Sequence, residues 1–142
     1  MDKLSVRRFL AGALLLLGLL PAGAMAYIAP TQGRDVVSGA QVSLKPESGP
    51  LVMVFVSARC PCSASHEPVL AKLYQEFSSK GFRFVGIHSN VNETPEETQA
   101  HFTQAKLPFP VIADPELRLA DQFGALKTPH AFVLSTKGEL LY

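Results

Sequence analysis

Cys60 and Cys62 are the two cysteines of this 142-residue chain, and only Pro61 separates them. They lie in VSARCPCSASHEP, Val56 to Pro68, after the apolar run LVMVFV and before a helix-like stretch. A buried strand that runs into a helix aims unpaired backbone N–H groups at the side chain on the junction. Those dipoles favour a thiolate; helix N-termini and nearby cations lower a cysteine pKa from ~8.5 to about 3.5–7.5. Arg59 adds a positive charge if its side chain turns toward the sulfur. Pro61 suits a first helical turn, where no N–H is needed. Cys60 is therefore the expected nucleophile. Cys62 either closes a strained, oxidising bridge with it or resolves a sulfenate or mixed disulfide formed on it. The competing fate of free cysteines is to be buried and inert, but the placement of both beside a proline at such a junction favours reactivity.

His66 stands at i+4 from Cys62, on the same side of a helix. Its unperturbed pKa of about 6.5 suits the transfer of a proton to and from the thiols. His130 follows Pro129. Together Cys60, Cys62, His66 and His130 would make a soft sulfur–nitrogen site suited to Cu(I) or Zn, the metal-chaperone alternative. Otherwise no cofactor is expected. His88 and His101 show no partner pattern; a strand end and a solvated helix account for them.

The elements that must position these groups read as follows. Residues 27–34 form a linker, and Asp35 to Leu44 a hairpin around Ser38-Gly39. Leu51 to Val56 is a strand buried on both faces. A helix then runs to about Lys80 with Val69, Leu70, Leu73, Tyr74 and Phe77 on one face, stopped by Gly81. Phe82 to Ile87 is the next strand. Thr94-Pro95-Glu96-Glu97 starts a helix, with threonine as N-cap, proline at N1 and acids in the first turn. FPVIA is a short strand, Asp114-Pro115-Glu116 opens a helix that Gly124 closes, and His130 to Ser135 is a strand. Thr136 to Glu139 turns the chain, and Leu140 to Tyr142 begin a returning strand. Strands alternating with helices imply parallel pairing, with an antiparallel edge from the last hairpin. The sequence stops as that last strand begins, which suggests a truncated chain or a partner in its place.

Residues 1–26 differ from the rest. Lys3, Arg7 and Arg8 precede the apolar stretch Phe9 to Leu20, Pro21 breaks it, and Ala24-Met25-Ala26 gives a cleavage pattern. This is the layout of a signal peptide; the alternative is an uncleaved membrane tether over residues 9–28, although a span needs ~20 apolar residues. Either implies export to the periplasm or another extracytoplasmic space, where oxidised thiols persist. The formal charge of +1 gives no case for binding nucleic acid.

From about Asp35 to Tyr142 the sequence resembles the thioredoxin superfamily, and more narrowly its redoxin branch, the AhpC/TSA peroxiredoxin-like proteins and periplasmic thiol reductases. Cys60 matches the family's first cysteine, Pro68 its helix proline, and Thr128-Pro129 its cis-proline motif. The stretch ADPELRLADQFGALKTPHAFVLSTKGELLY follows the redoxin pattern. The resemblance implies a thioredoxin-like α/β fold, with a central mixed sheet flanked by helices, over residues 35–142. It implies a thiol-disulfide oxidoreductase acting on protein or small-molecule thiols and disulfides, with Thr128 and Pro129 aligning the substrate backbone. A thiol peroxidase consuming hydroperoxides is the alternative that the family label carries. Ser63 falls where the family has its second cysteine, His66 replaces its glutamate, and Arg59 its tryptophan. Ser57 stands at the spacing of the peroxiredoxin threonine, Met53 replaces a proline, and no counterpart of the peroxidatic arginine is found.

Overall fold

The computed structural model describes residues 30–142. The cleavage pattern and the apolar run of residues 9–28 lie outside them. No helix among the described residues is long and apolar enough to cross a membrane. In chain order the elements are β1 (Gln32–Arg34), β2 (Gln41–Ser43), β3 (Leu51–Val56), α1 (Pro61–Ser78), β4 (Arg83–His88), α2 (Pro95–Ala105), β5 (Val111–Ala113), α3 (Arg118–Phe123) and β6 (His130–Leu134).

β3 is central because its side chains are apolar in both directions. Leu51, Met53 and Phe55 enter one core with Val85, Ile87, Ile112, Leu119, Phe132 and Leu134. Val54 and Val56 enter the other, with Leu70, Phe84, Phe102, Phe109 and Val111. Burying each such side chain is worth about 1.5–3 kcal/mol, so β3 is held firmly from both faces. The sheet order is β5-β4-β3-β6. β3 pairs parallel with β4, and β4 with β5; β6 runs antiparallel to β3, with Phe55 opposite His130. This is the mixed α/β sheet that the alternation of elements requires. The last residues form a single bridge, Leu134 with Leu140, rather than a full strand.

Two boundaries shift for local reasons. The linker reading of residues 27–34 gives way at its end, since Gln32–Arg34 form β1 and pair with β2. The Asp35 carboxylate causes the shift. It accepts the Ser38 N–H at 2.9 Å, the Ser38 hydroxyl at 2.5 Å and the Val111 N–H at 3.1 Å, which ties the segment after β1 to the sheet edge. α3 starts at Arg118, not Asp114, because the Asp114 carboxylate accepts the N–H groups of Leu119 and Ala120 at 3.1 and 3.0 Å. Leu117 takes the left-handed conformation there, φ 58°. On α1, Leu70 is buried and Tyr74 and Phe77 are half-buried, but Val69 and Leu73 of the predicted stripe are exposed.

Opposite the thiols, two turns meet at Gly49, whose φ is 148° and whose Cβ would lie 2.1 Å from the Gly81 carbonyl oxygen. Neither the backbone conformation nor the space admits a side chain. Gly49→Ala is expected to cost about 2 kcal/mol or more, read as a lower midpoint in urea with an unchanged slope.

Candidate active site

β3 ends at Val56, and the chain reaches α1 through Ser57, Ala58 and Arg59. Cys60 is the N-cap residue, φ −80° and ψ 115°, with Pro61 at the first helical position. Its carbonyl accepts the first helical bond, from the Ala64 N–H at 3.1 Å. Its own N–H donates to Ser57 Oγ at 3.1 Å. Ser63, in the position of the family's second cysteine, is fully buried, and its hydroxyl oxygen accepts the Ser57 N–H at 3.0 Å. This serine fixes the turn from within.

Across from the sulfur stands the Thr128 carbonyl, 3.5 Å from Cys60 Sγ, and the Thr128–Pro129 peptide is cis. The two distant motifs therefore meet. The Thr128 hydroxyl, the N–H groups of Ser63 and Cys62 and the neighbouring Cys62 thiol hold the Cys60 thiol below its ordinary range. The Thr128 carbonyl favours the protonated form, since it only accepts, but the donors outweigh it. This is the thiolate-favouring junction expected from the sequence. Both cysteines are free, Cys60 half-buried and Cys62 exposed.

A buried acid that the sequence reading missed organises the loop. Glu93 lies between β4 and α2, with its side chain 3 % exposed. Its carboxylate accepts the Ser57 hydroxyl, the Ala58 N–H at 2.8 Å and the Arg59 N–H at 3.3 Å. His88 Nε2 donates to the same carboxylate from 2.8 Å, and Thr98 Oγ1 lies 3.3 Å from that nitrogen. Burial pushes the Glu93 carboxyl up, but the bonds from Ser57, His88, Ala58 and Arg59 outweigh it and hold the group below the usual range. His88 thus has a partner, contrary to the sequence reading. So does His101, whose Nε2 lies 2.6 Å from Glu67 Oε1 and joins α2 to α1. Neither pairing shows in the spacing, because each partner comes from a different element or a loop.

Other expected site residues fall elsewhere. Arg59 does not turn toward the sulfur; its guanidinium binds both Glu97 carboxylate oxygens at 2.6 Å. His66 lies on the Cys62 side of α1 as expected, but its Nδ1 is held by the Cys62 carbonyl at 2.7 Å. Among the described residues no hydrogen bond joins it to either thiol. The His130 ring packs against Phe132, centroids 4.4 Å apart. Among the described residues no three histidine, cysteine or acidic side chains are grouped to hold a metal ion, so the structure does not gather Cys60, Cys62, His66 and His130 into the Cu(I) or Zn site.

A mixed sheet of this order, with a helix-capping cysteine facing the residue before a cis-proline, defines a protein of thioredoxin-like fold. The chain belongs to the AhpC/TSA family, whose model matches residues 26–142. It is 26 % identical over 106 residues to the thiol-disulfide oxidoreductase ResA of Halalkalibacterium halodurans, a match covering 74 % of this chain and 59 % of that protein. The chain thus spans well under two thirds of that relative's length. Among solved structures, an uncharacterized conserved protein from Geobacillus kaustophilus superposes with a TM-score of 0.73 at 23 % identity, covering 88 % of this chain and 69 % of the other. A secreted Mycobacterium tuberculosis disulfide oxidoreductase superposes at 0.65 with 18 % identity, covering 77 % and 78 %. These two likenesses speak to the fold.

Proposed function

We propose that this protein is an exported thiol-disulfide oxidoreductase of the redoxin type that uses Cys60 as nucleophile and Cys62 as resolving thiol. The observation that carries the reading is the Cys60 sulfur at a helix N-terminus, 3.5 Å from the Thr128 carbonyl beside cis-Pro129. The similarity to a thiol-disulfide oxidoreductase supports it, and the layout of residues 1–26 supports export.

In the reducing direction the Cys60 thiolate attacks one sulfur of a protein disulfide. The substrate S–S bond breaks, a Cys60–substrate bond forms, and the departing thiolate takes a proton from water. The Cys62 thiolate then attacks Cys60 Sγ. A Cys60–Cys62 bond forms, the second substrate thiol leaves, and two electrons have passed from the cysteine pair to the substrate. Oxidation of a dithiol is the same sequence reversed. In this scheme the Thr128 backbone, beside the sulfur, pairs with an extended substrate chain. His66, whose Nδ1 is bound to the Cys62 carbonyl, has its other ring nitrogen to accept and return a proton in this scheme, and solvent carries protons at the exposed Cys62.

Cys62→Ser is expected to react once and stop. Incubated with a protein disulfide, it should accumulate a covalent adduct on Cys60, seen by mass spectrometry, with multiple turnover down at least a hundredfold. Full turnover by this variant would remove Cys62 from the mechanism and with it the dithiol reading.

A further inference from the structure

The N–H groups of Ser57, Ala58, Arg59 and Cys60 carry the chain from the end of β3 into α1, and side-chain oxygens accept all of them. Ser63 Oγ takes the first at 3.0 Å. The Glu93 carboxylate takes the next two, at 2.8 and 3.3 Å. Ser57 Oγ takes the last, from Cys60, at 3.1 Å, and its own proton points at Glu93. Ser57 and Glu93 are both buried, so little water is at hand to replace a lost partner. We propose that Glu93, acting through Ser57, is a positioning residue of the exchange reaction, which holds the Cys60 backbone so that the sulfur stays against Thr128. The proposal rests on the exchange activity proposed for Cys60.

The direction of this relay is fixed at its inner end. A serine hydroxyl rotates and can donate or accept. The Glu93 carboxylate, ionised at neutral pH, only accepts. It commits the Ser57 proton and leaves the lone pairs of Ser57 Oγ to the Cys60 N–H. That bond resists rotation about the Cys60 N–Cα axis, which stands at φ −80°. Such a rotation would swing the sulfur away from the Thr128 carbonyl, 3.5 Å off. Misplacing a reacting atom by about 1 Å costs up to about 10²-fold in rate. Charge works in the opposite sense, since a nearby carboxylate opposes a thiolate. The groups that hold the Cys60 thiol low are Thr128, Ser63 and Cys62, and Arg59 is engaged by Glu97. Glu93 thus serves the sulfur through geometry.

The test uses the full chain, reduced, and a short cysteine peptide capped as a mixed disulfide with thionitrobenzoate. The Cys60 thiolate attacks the peptide sulfur, a Cys60–peptide bond forms, and thionitrobenzoate leaves as the thiolate that reports the rate. Ser57→Ala should lower the limiting rate about tenfold or more, with the half-saturating peptide concentration within about twofold of wild type. It should also raise the pH midpoint of Cys60 alkylation, as the sulfur drifts from its donors. Ser57→Thr, which keeps the hydroxyl, should recover both. Glu93→Gln turns an amide N–H toward Ser57 and should slow release too. Added to Ser57→Ala it should slow release by less than about twofold further, because a single relay is already broken. Effects that multiply in the double variant, or a Ser57→Ala variant with the wild-type rate and midpoint, would overturn the relay while leaving the exchange activity standing. No thionitrobenzoate release by wild-type protein would overturn the exchange activity and the relay together.

Discussion

Replacing Glu93 with alanine lowers the unfolding free energy by about 3 kcal/mol, the low end of what removing one partner of a buried charged network costs. The loss is large because the carboxylate is shared. Without it the Ala58 and Arg59 N–H groups, the Ser57 hydroxyl and His88 Nε2 lose their common acceptor at once. Glu93→Gln restores the volume but turns an amide N–H toward donors, so it recovers only part of the loss. The pH dependence has a definite sign. A carboxyl held below its ordinary value when folded contributes its full stability above the unfolded value of about 4.3, and that contribution disappears as pH falls through the lower folded value. Wild-type protein should therefore show a falling urea midpoint below about pH 4, and Glu93→Gln should lack that component. A variant as stable as the parent at neutral pH would show that the loop does not depend on this acid.

Alkylation of Cys60 by iodoacetamide should titrate with a midpoint below the ordinary cysteine value of about 8.5, and Cys62 should be slower at neutral pH. The cause is local: the Thr128 hydroxyl and the N–H groups of Ser63 and Cys62 favour the anion. The thiol's folded value is depressed, so the stability it adds is full above the unfolded value and is lost as pH falls through the folded one. Cys60→Ser should abolish exchange, at least a thousandfold, since among the described residues no other sulfur meets the Thr128 carbonyl. Thiol-specific mass spectrometry across pH 5 to 10 reads both cysteines in one experiment. A Cys60 midpoint at or above 8.5 would remove the activated thiolate.

Much of this architecture was legible because it is local. LVMVFV reads as a strand buried on both faces from its side chains alone, and Thr94-Pro95-Glu96-Glu97 forms the capping box that its residue types announce. The meeting of Cys60 with Thr128 came from the resemblance rather than from spacing, since 68 residues separate the two. The direction of Arg59 was left open by the sequence because a charge near a cysteine has a free choice of direction, and Glu97 offers two oxygens at 2.6 Å. Glu93 was invisible for the opposite reason. In the sequence it is one acid just ahead of a helix, in the company of Glu96 and Glu97, and only the folded chain shows which of the three is turned inward.

The place of Ser63 bears on how the proposed exchange centre is recharged. With the position three past the nucleophile occupied by an interior hydroxyl, the second sulfur moves one residue earlier and onto the outside of α1. In the oxidised protein of the proposed scheme, recharging is the exchange sequence reversed: a thiolate of the incoming dithiol attacks Cys60 Sγ, the Cys60–Cys62 bond breaks, and Cys62 is released as a thiolate on the exposed side of α1. The sulfur that ends each substrate exchange is thus the first one set free when the pair is reduced.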